Sequence, residues 1–107
     1  MQLSRECAIN EKVARACGIN GTINKTSDGM LFVVEPLQIL PDYVNSISAA
    51  FFAMESVFNI FRIEKDSNRI WTCTAWINRG KSVVRGRIPE VVMCKTIIEA
   101  HAKRNKI

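Results

Sequence analysis

The chain has a single histidine, His101, and that scarcity removes most acid–base and nucleophilic machinery at the outset. A Cys94–His101 nucleophile pair is the one arrangement left. Seven residues along a helix separate two backbones by about 10 Å, too far for the hydrogen bond that activation needs. CxxC, HxxxH and HExxH spacings are missing, so a zinc site would need scattered ligands. The chain also lacks GxGxxG and GxxxxGK[ST] loops for cradling phosphates, and a DxD pair for two-metal chemistry. These absences argue against an enzyme, and no catalytic residue, cofactor or metal is expected.

Other shortages bound the class. The longest apolar run, Ala49–Met54, is too short to span a bilayer, and no apolar segment follows Met1–Arg5 to make a signal peptide. Four cysteines (Cys7, Cys17, Cys73 and Cys94) are too sparse for a disulfide scaffold, which predicts reduced thiols and a cytoplasmic protein. Five Gly and three Pro in 107 residues exclude a fibrous or low-complexity chain, and 48% apolar residues exclude disorder. That length and mix predict one α+β domain spanning residues 1–107.

What the chain does have is a patterned order of elements. A first helix is expected from Arg5 to Cys17, capped by Ser4 and stopped by Gly18, with Ile9, Val13, Ala16 and Cys17 inward. Residues 18–42 read as irregular, with turns at Gly21, Asn24 and Asp28-Gly29 and a short strand over Met30–Glu35; Pro36 and Pro41 forbid a long helix. A second helix follows Asn45 or Ser46, with Ile47, Ala50, Phe51, Met54 and Val57 as its apolar stripe. Phe58–Lys65, Arg69–Asn78 and Lys81–Arg87 read as strands, reversed at Asp66-Ser67-Asn68 and at Asn78-Arg79-Gly80. Pro89 opens a third helix, with Glu90 at its start and Lys103, Arg104 and Lys106 at its end suiting the helix dipole. Its inward side is expected to be Val91, Cys94, Ile98, His101 and Ala102. The expected fold is helices packed on a three-stranded antiparallel meander, with the second and third helices side by side on one face.

Strand alternation sorts the meander into two faces. Phe61, Ile63, Trp71, Cys73, Ala75, Ile77, Val84 and Ile88 form an apolar set directed at the helices. The other face carries Ile60, Arg62, Glu64, Thr72, Thr74, Trp76, Lys81, Val83, Arg85 and Arg87. Either the first helix or Met30–Glu35 covers this second face, or it stands open. An open face would bind polyanions through Arg62, Trp76, Lys81, Arg85 and Arg87, with Trp76 stacking a base. Charge distribution points the same way: residues 1–61 carry net −2 and residues 62–107 net +7. A solvated basic surface is the plainer alternative.

The stretch Leu40-Pro41-Asp42-Tyr43-Val44-Asn45-Ser46-Ile47-Ser48-Ala49-Ala50, followed by Met54-Glu55, resembles the start of the central helix in the phage ABA sandwich domain family. In that family the helix leads to a hairpin bearing a tryptophan, a place filled here by Phe58–Lys65 and Arg69–Ile77. The family's closing helix, with Pro first and then a Cys-[Arg/Lys] pair, is similar to Pro89, Cys94, Lys95 and Ile98, and Ile9–Gly18 is similar to its opening helix. The resemblance implies helices against an antiparallel sheet and a tailed-phage or prophage origin, with a bacterial host cytoplasm as location. It implies no activity. The expected role is that of a non-enzymatic accessory protein acting through a protein partner or by self-association as a homodimer, with nucleic-acid binding by the basic sheet face as the alternative.

Overall fold

A computed structural model describes residues 2–34, 37–78 and 80–104. Among these residues are three α-helices and two three-stranded antiparallel sheets, an α+β fold.

The first helix, α1, runs Gln2–Ala16, so it begins earlier than the expected Arg5 and Ser4 lies within its range. Its end is as expected. Gly18 takes φ 98°, its amide bonds the Arg15 carbonyl at 3.1 Å, and the Ile19 amide reaches back to Ala14 at 3.1 Å. This double bond pattern satisfies carbonyls that the last turn would leave open, and it needs a residue free to adopt positive φ. The buried side differs from the expected stripe. Cys7, Asn10, Val13 and Ala14 are buried, whereas Ile9, Ala16 and Cys17 are only partly so. Asn10 can be buried because its Nδ2 donates to Asp42 Oδ1 at 2.8 Å and its Oδ1 accepts from the Val44 amide at 2.9 Å.

Residues 24–39, expected to hold one short strand, form a sheet of their own. β1 (Asn24–Lys25), β2 (Leu31–Val34) and β3 (Leu37–Ile39) are antiparallel in that order. Thr26 and Gly29 close the first turn, with Gly29 at φ 91°. Glu35 and Pro36, between β2 and β3, lie outside the described residues, as do Arg79 and Lys106. β2 falls within the expected Met30–Glu35 strand, whereas β1, at two residues, is too short for an alternation to show in the sequence.

A short 3₁₀ turn, Tyr43–Asn45, leads into α2 (Ile47–Val57). Ser46 is the cap, its side chain accepting from the Ala49 amide at 3.1 Å. The buried positions of α2 are Ala50, Ala53 and Met54, while Ile47, Phe51 and Phe52 are exposed, so the expected stripe is rotated. Small alanines let α2 approach its neighbour closely, and the larger side chains are left outside that contact.

β4 (Phe61–Lys65), β5 (Trp71–Ile77) and β6 (Gly80–Gly86) form the expected meander. Asp66 builds the first reversal: its carboxylate accepts from the Asn68 and Ile70 amides at 2.8 and 3.0 Å. Arg69 holds φ 62° there, a position glycine usually fills. α3 (Pro89–Arg104) starts at Pro89 as expected and is the central element, packing against β5, β6, α2, α1 and the 3₁₀ turn. Its buried residues are Val92, Met93, Cys94, Thr96, Ile97 and Ala100, with His101 half-buried and Ala102 exposed. A helix contacted from several sides buries more than one stripe, so a single-face reading misses half of it.

Two expectations about the meander need correction. α3 lies on the sheet, but α2 lies beside α3 and meets the edge strand through an edge-to-face pair of Phe51 and Phe61 at 5.5 Å. Ile88 is 54% exposed and does not join Val84 inward, because it sits at the reversal where its carbonyl accepts from the Val92 amide. Gly86 lies close under α3: a Cβ there would stand 2.9 Å from Val92 Cγ2.

Candidate functional site

The register of β4, β5 and β6 arranges the outer face as a small lattice. Lys81 stands opposite Trp76; Arg62 and Val83 flank Thr74; Glu64 and Arg85 flank Thr72. The Trp76 amide donates to the Ile60 carbonyl at 3.1 Å, which brings Ile60 alongside the tryptophan. α1 packs on α3, away from this sheet, and the first sheet packs on α1. Neither of the expected covers is therefore in place, and the face is open: Trp76 is 38%, Val83 44% and Ile60 63% exposed.

The charges on this face are partly paired. The Arg62 guanidinium lies 5.9 Å from the Trp76 ring centroid, and its Nε is 3.2 Å from Glu64 Oε1. Arg85 is 3.7 Å from Asp66, whose carboxyl is held below the usual range by the Ile70 amide first, then by the Asn68 amide and the Arg85 charge. Exposed pairs of this kind contribute little and open readily. Lys81 and Arg87 make no ion pair among the described residues. The structure thus brings Arg62, Trp76, Lys81 and Arg85 onto one surface. Arg87 falls one residue beyond β6, at the corner where the chain turns into α3.

A second surface escaped the sequence reading. Pairing of Phe32 with Ile39 and of Val34 with Leu37 puts four apolar side chains on one face of the β2–β3 hairpin. Val34, Leu37 and Ile39 are 56%, 73% and 62% exposed, while Leu31, next in line and pointing the other way, is buried against the core. The signal was present in the sequence as an alternation, Phe32 and Val34 before the Glu-Pro step and Leu37 and Ile39 after it.

The thiols do not assemble into a reactive centre. Burial pushes the Cys94 thiol up to about 12, with smaller contributions from Glu90, Asp42 and Cys17. Burial raises Cys73 and Cys17 as well, opposed at Cys73 by a hydrogen bond with Thr96. A protonated, buried thiol is a poor nucleophile and a poor ligand. Among the described residues no three His, Cys, Asp or Glu side chains gather where a metal could sit, and no helix is long and apolar enough to cross a membrane.

A solved structure shares this fold. It is a phage protein from Bacillus cereus ATCC 14579, with a TM-score of 0.64 over 86% of this chain and 87% of that one, at 17% sequence identity. No family model matches the chain, so membership of the phage ABA sandwich family is not shown, and no curated protein matches it. At this identity the likeness speaks to the fold alone.

Proposed function

We propose that this chain is a small phage- or prophage-type accessory protein that works without catalysing a reaction, through contact with a protein partner or a second copy of itself. The observation that carries the reading is the apolar face of the β2–β3 hairpin. Val34, Leu37 and Ile39 are exposed beside the half-buried Phe32, on a strand pair whose outer strand, β3, has no further neighbour among the described residues. Contiguous exposed apolar surface of this kind marks interaction sites, and an open strand edge offers backbone groups for pairing. The shared fold with a phage protein from Bacillus cereus supports the phage setting.

The test is a pair of substitutions that leave the core alone. Leu37→Lys and Ile39→Lys change exposed side chains, so stability should stay within about 0.5 kcal/mol of the parent. Light scattering across a concentration series and affinity capture from phage-infected cells should show an assembly with the parent chain that both variants lose. A parent chain that stays monomeric and captures nothing, or variants that assemble as well as the parent, would refute it.

A further inference from the structure

The outer face of β4–β6 keeps two chemistries side by side: an exposed apolar ridge and a border of cations. Ile60, Trp76 and Val83 make the ridge, with Trp76 and Val83 diagonal neighbours across β5 and β6. Arg62 lies on one bordering strand and Lys81 and Arg85 on the other, about 10 Å apart across β5. Single apolar residues scattered on a surface mean little, but an indole with apolar neighbours, flanked by cations on both bordering strands, matches one ligand chemistry. It offers a flat π surface for a base and flanking charges for phosphates.

We propose that this face binds single-stranded nucleic acid, one base stacking on Trp76 while Lys81, Arg85 and the corner residue Arg87 hold the backbone. In the unliganded chain the Arg62 guanidinium occupies the space over Trp76, tethered by Glu64. Both contacts are exposed and open readily, after which Arg62 can lie on the far side of the stacked base or on a phosphate. The Asp66 carboxylate restrains Arg85 only through a 3.7 Å exposed contact. With Glu64 and Asp66 against Arg62, Lys81, Arg85 and Arg87 the face keeps a cationic excess, which supplies the attraction and disfavours a second copy of this chain as its occupant. A duplex fits less well, because its base faces are hidden and the apolar ridge would be left against phosphates. An acidic peptide has the charge but no flat partner for the indole.

The test measures anisotropy of labelled single strands of about 12 nucleotides, oligo(dT) and oligo(rU), with a duplex of the same length, at roughly 50 and 200 mM salt. Affinity for at least one single strand should fall with salt at roughly 0.7 log units per log salt for each phosphate held. Arg85→Ala and Lys81→Ala should each flatten that slope by about one such step. Trp76→Ala should weaken single-strand binding by roughly ten- to a hundredfold, with Trp76→Phe restoring most of it and the duplex indifferent to both. If Trp76→Ala does not fold, as judged by circular dichroism, the exposed charge reversals Lys81→Glu and Arg85→Glu together must abolish binding. The proposal is overturned by no binding at the lower salt, by a duplex bound as tightly as the single strands, by polyglutamate competing equally, or by folded Trp76→Ala or charge-reversed protein binding as well as the parent.

Discussion

Replacing Gly86 with alanine probes how closely β6 packs on α3. The backbone there is not in the left-handed region, so alanine can adopt it, and the obstacle is purely steric: the new Cβ would lie 2.9 Å from Val92 Cγ2. Val92 is 2% exposed, and a β-branched side chain in a helix has essentially one rotamer, so it cannot swing aside. Overpacking of this kind costs about 1–3 kcal/mol, offset by about 0.4–1 kcal/mol from a stiffer unfolded chain. The expected net loss is about 1–2 kcal/mol, or roughly 4–10 °C in melting temperature for a chain of this size. Val92→Ala alone should cost about 1.5–3 kcal/mol, since it empties a packed site. The double variant is the decisive one. With the colliding methyl gone, Gly86→Ala should cost little further and its new methyl should fill part of the space, so the pair should be at least about 1 kcal/mol more stable than the sum of the singles. Urea denaturation followed by circular dichroism measures all four proteins. Additivity within about 0.3–0.5 kcal/mol would refute the claim that β6 and α3 meet at this contact.

Three further outcomes are expected. Ser46→Ala should cost about 1 kcal/mol by releasing the Ala49 amide at the start of α2, and Ser46→Asp should restore it, both read from urea melts. Asn10→Ala should cost about 1–3 kcal/mol, because the buried Val44 amide and the Asp42 carboxylate each lose a partner; a loss no greater than that of an exposed Glu11→Ala control would contradict this. The Cys94 thiol moves from 9.0 to about 12 and the Tyr43 hydroxyl from 10.0 to about 12 on folding, both chiefly by burial. The stability these groups lend is fully present below pH 9 and is lost as the pH rises from 9 toward 12, so the urea midpoint should fall over that window and fall less in Cys94→Ala.

Local chemistry decided much of this protein without reference to its fold. Gly18 stops α1, Ser46 starts α2, Pro89 opens α3 and Asp66 turns β4 into β5, because each acts on backbone groups within a few residues of itself. The two faces of the meander were likewise legible, since a side-chain period of two assigns Cys73 and Ala75 inward and Trp76 outward once the strand is recognised. Helix faces were less so. α2 turns Ala50 and Ala53 inward and leaves Phe51 and Phe52 outside, a choice set by how closely α3 approaches and invisible to a scale that ranks phenylalanine above alanine. Asn10 could be placed in the core only by its partners Asp42 and Val44, more than thirty residues away. Whether the cationic face with Trp76 is covered depends on where α1 packs, and whether Val34, Leu37 and Ile39 are buried depends on what lies against the β2–β3 hairpin. Period and capping are properties of neighbours in the chain; burial is a property of neighbours in space, and only the tertiary packing supplies those.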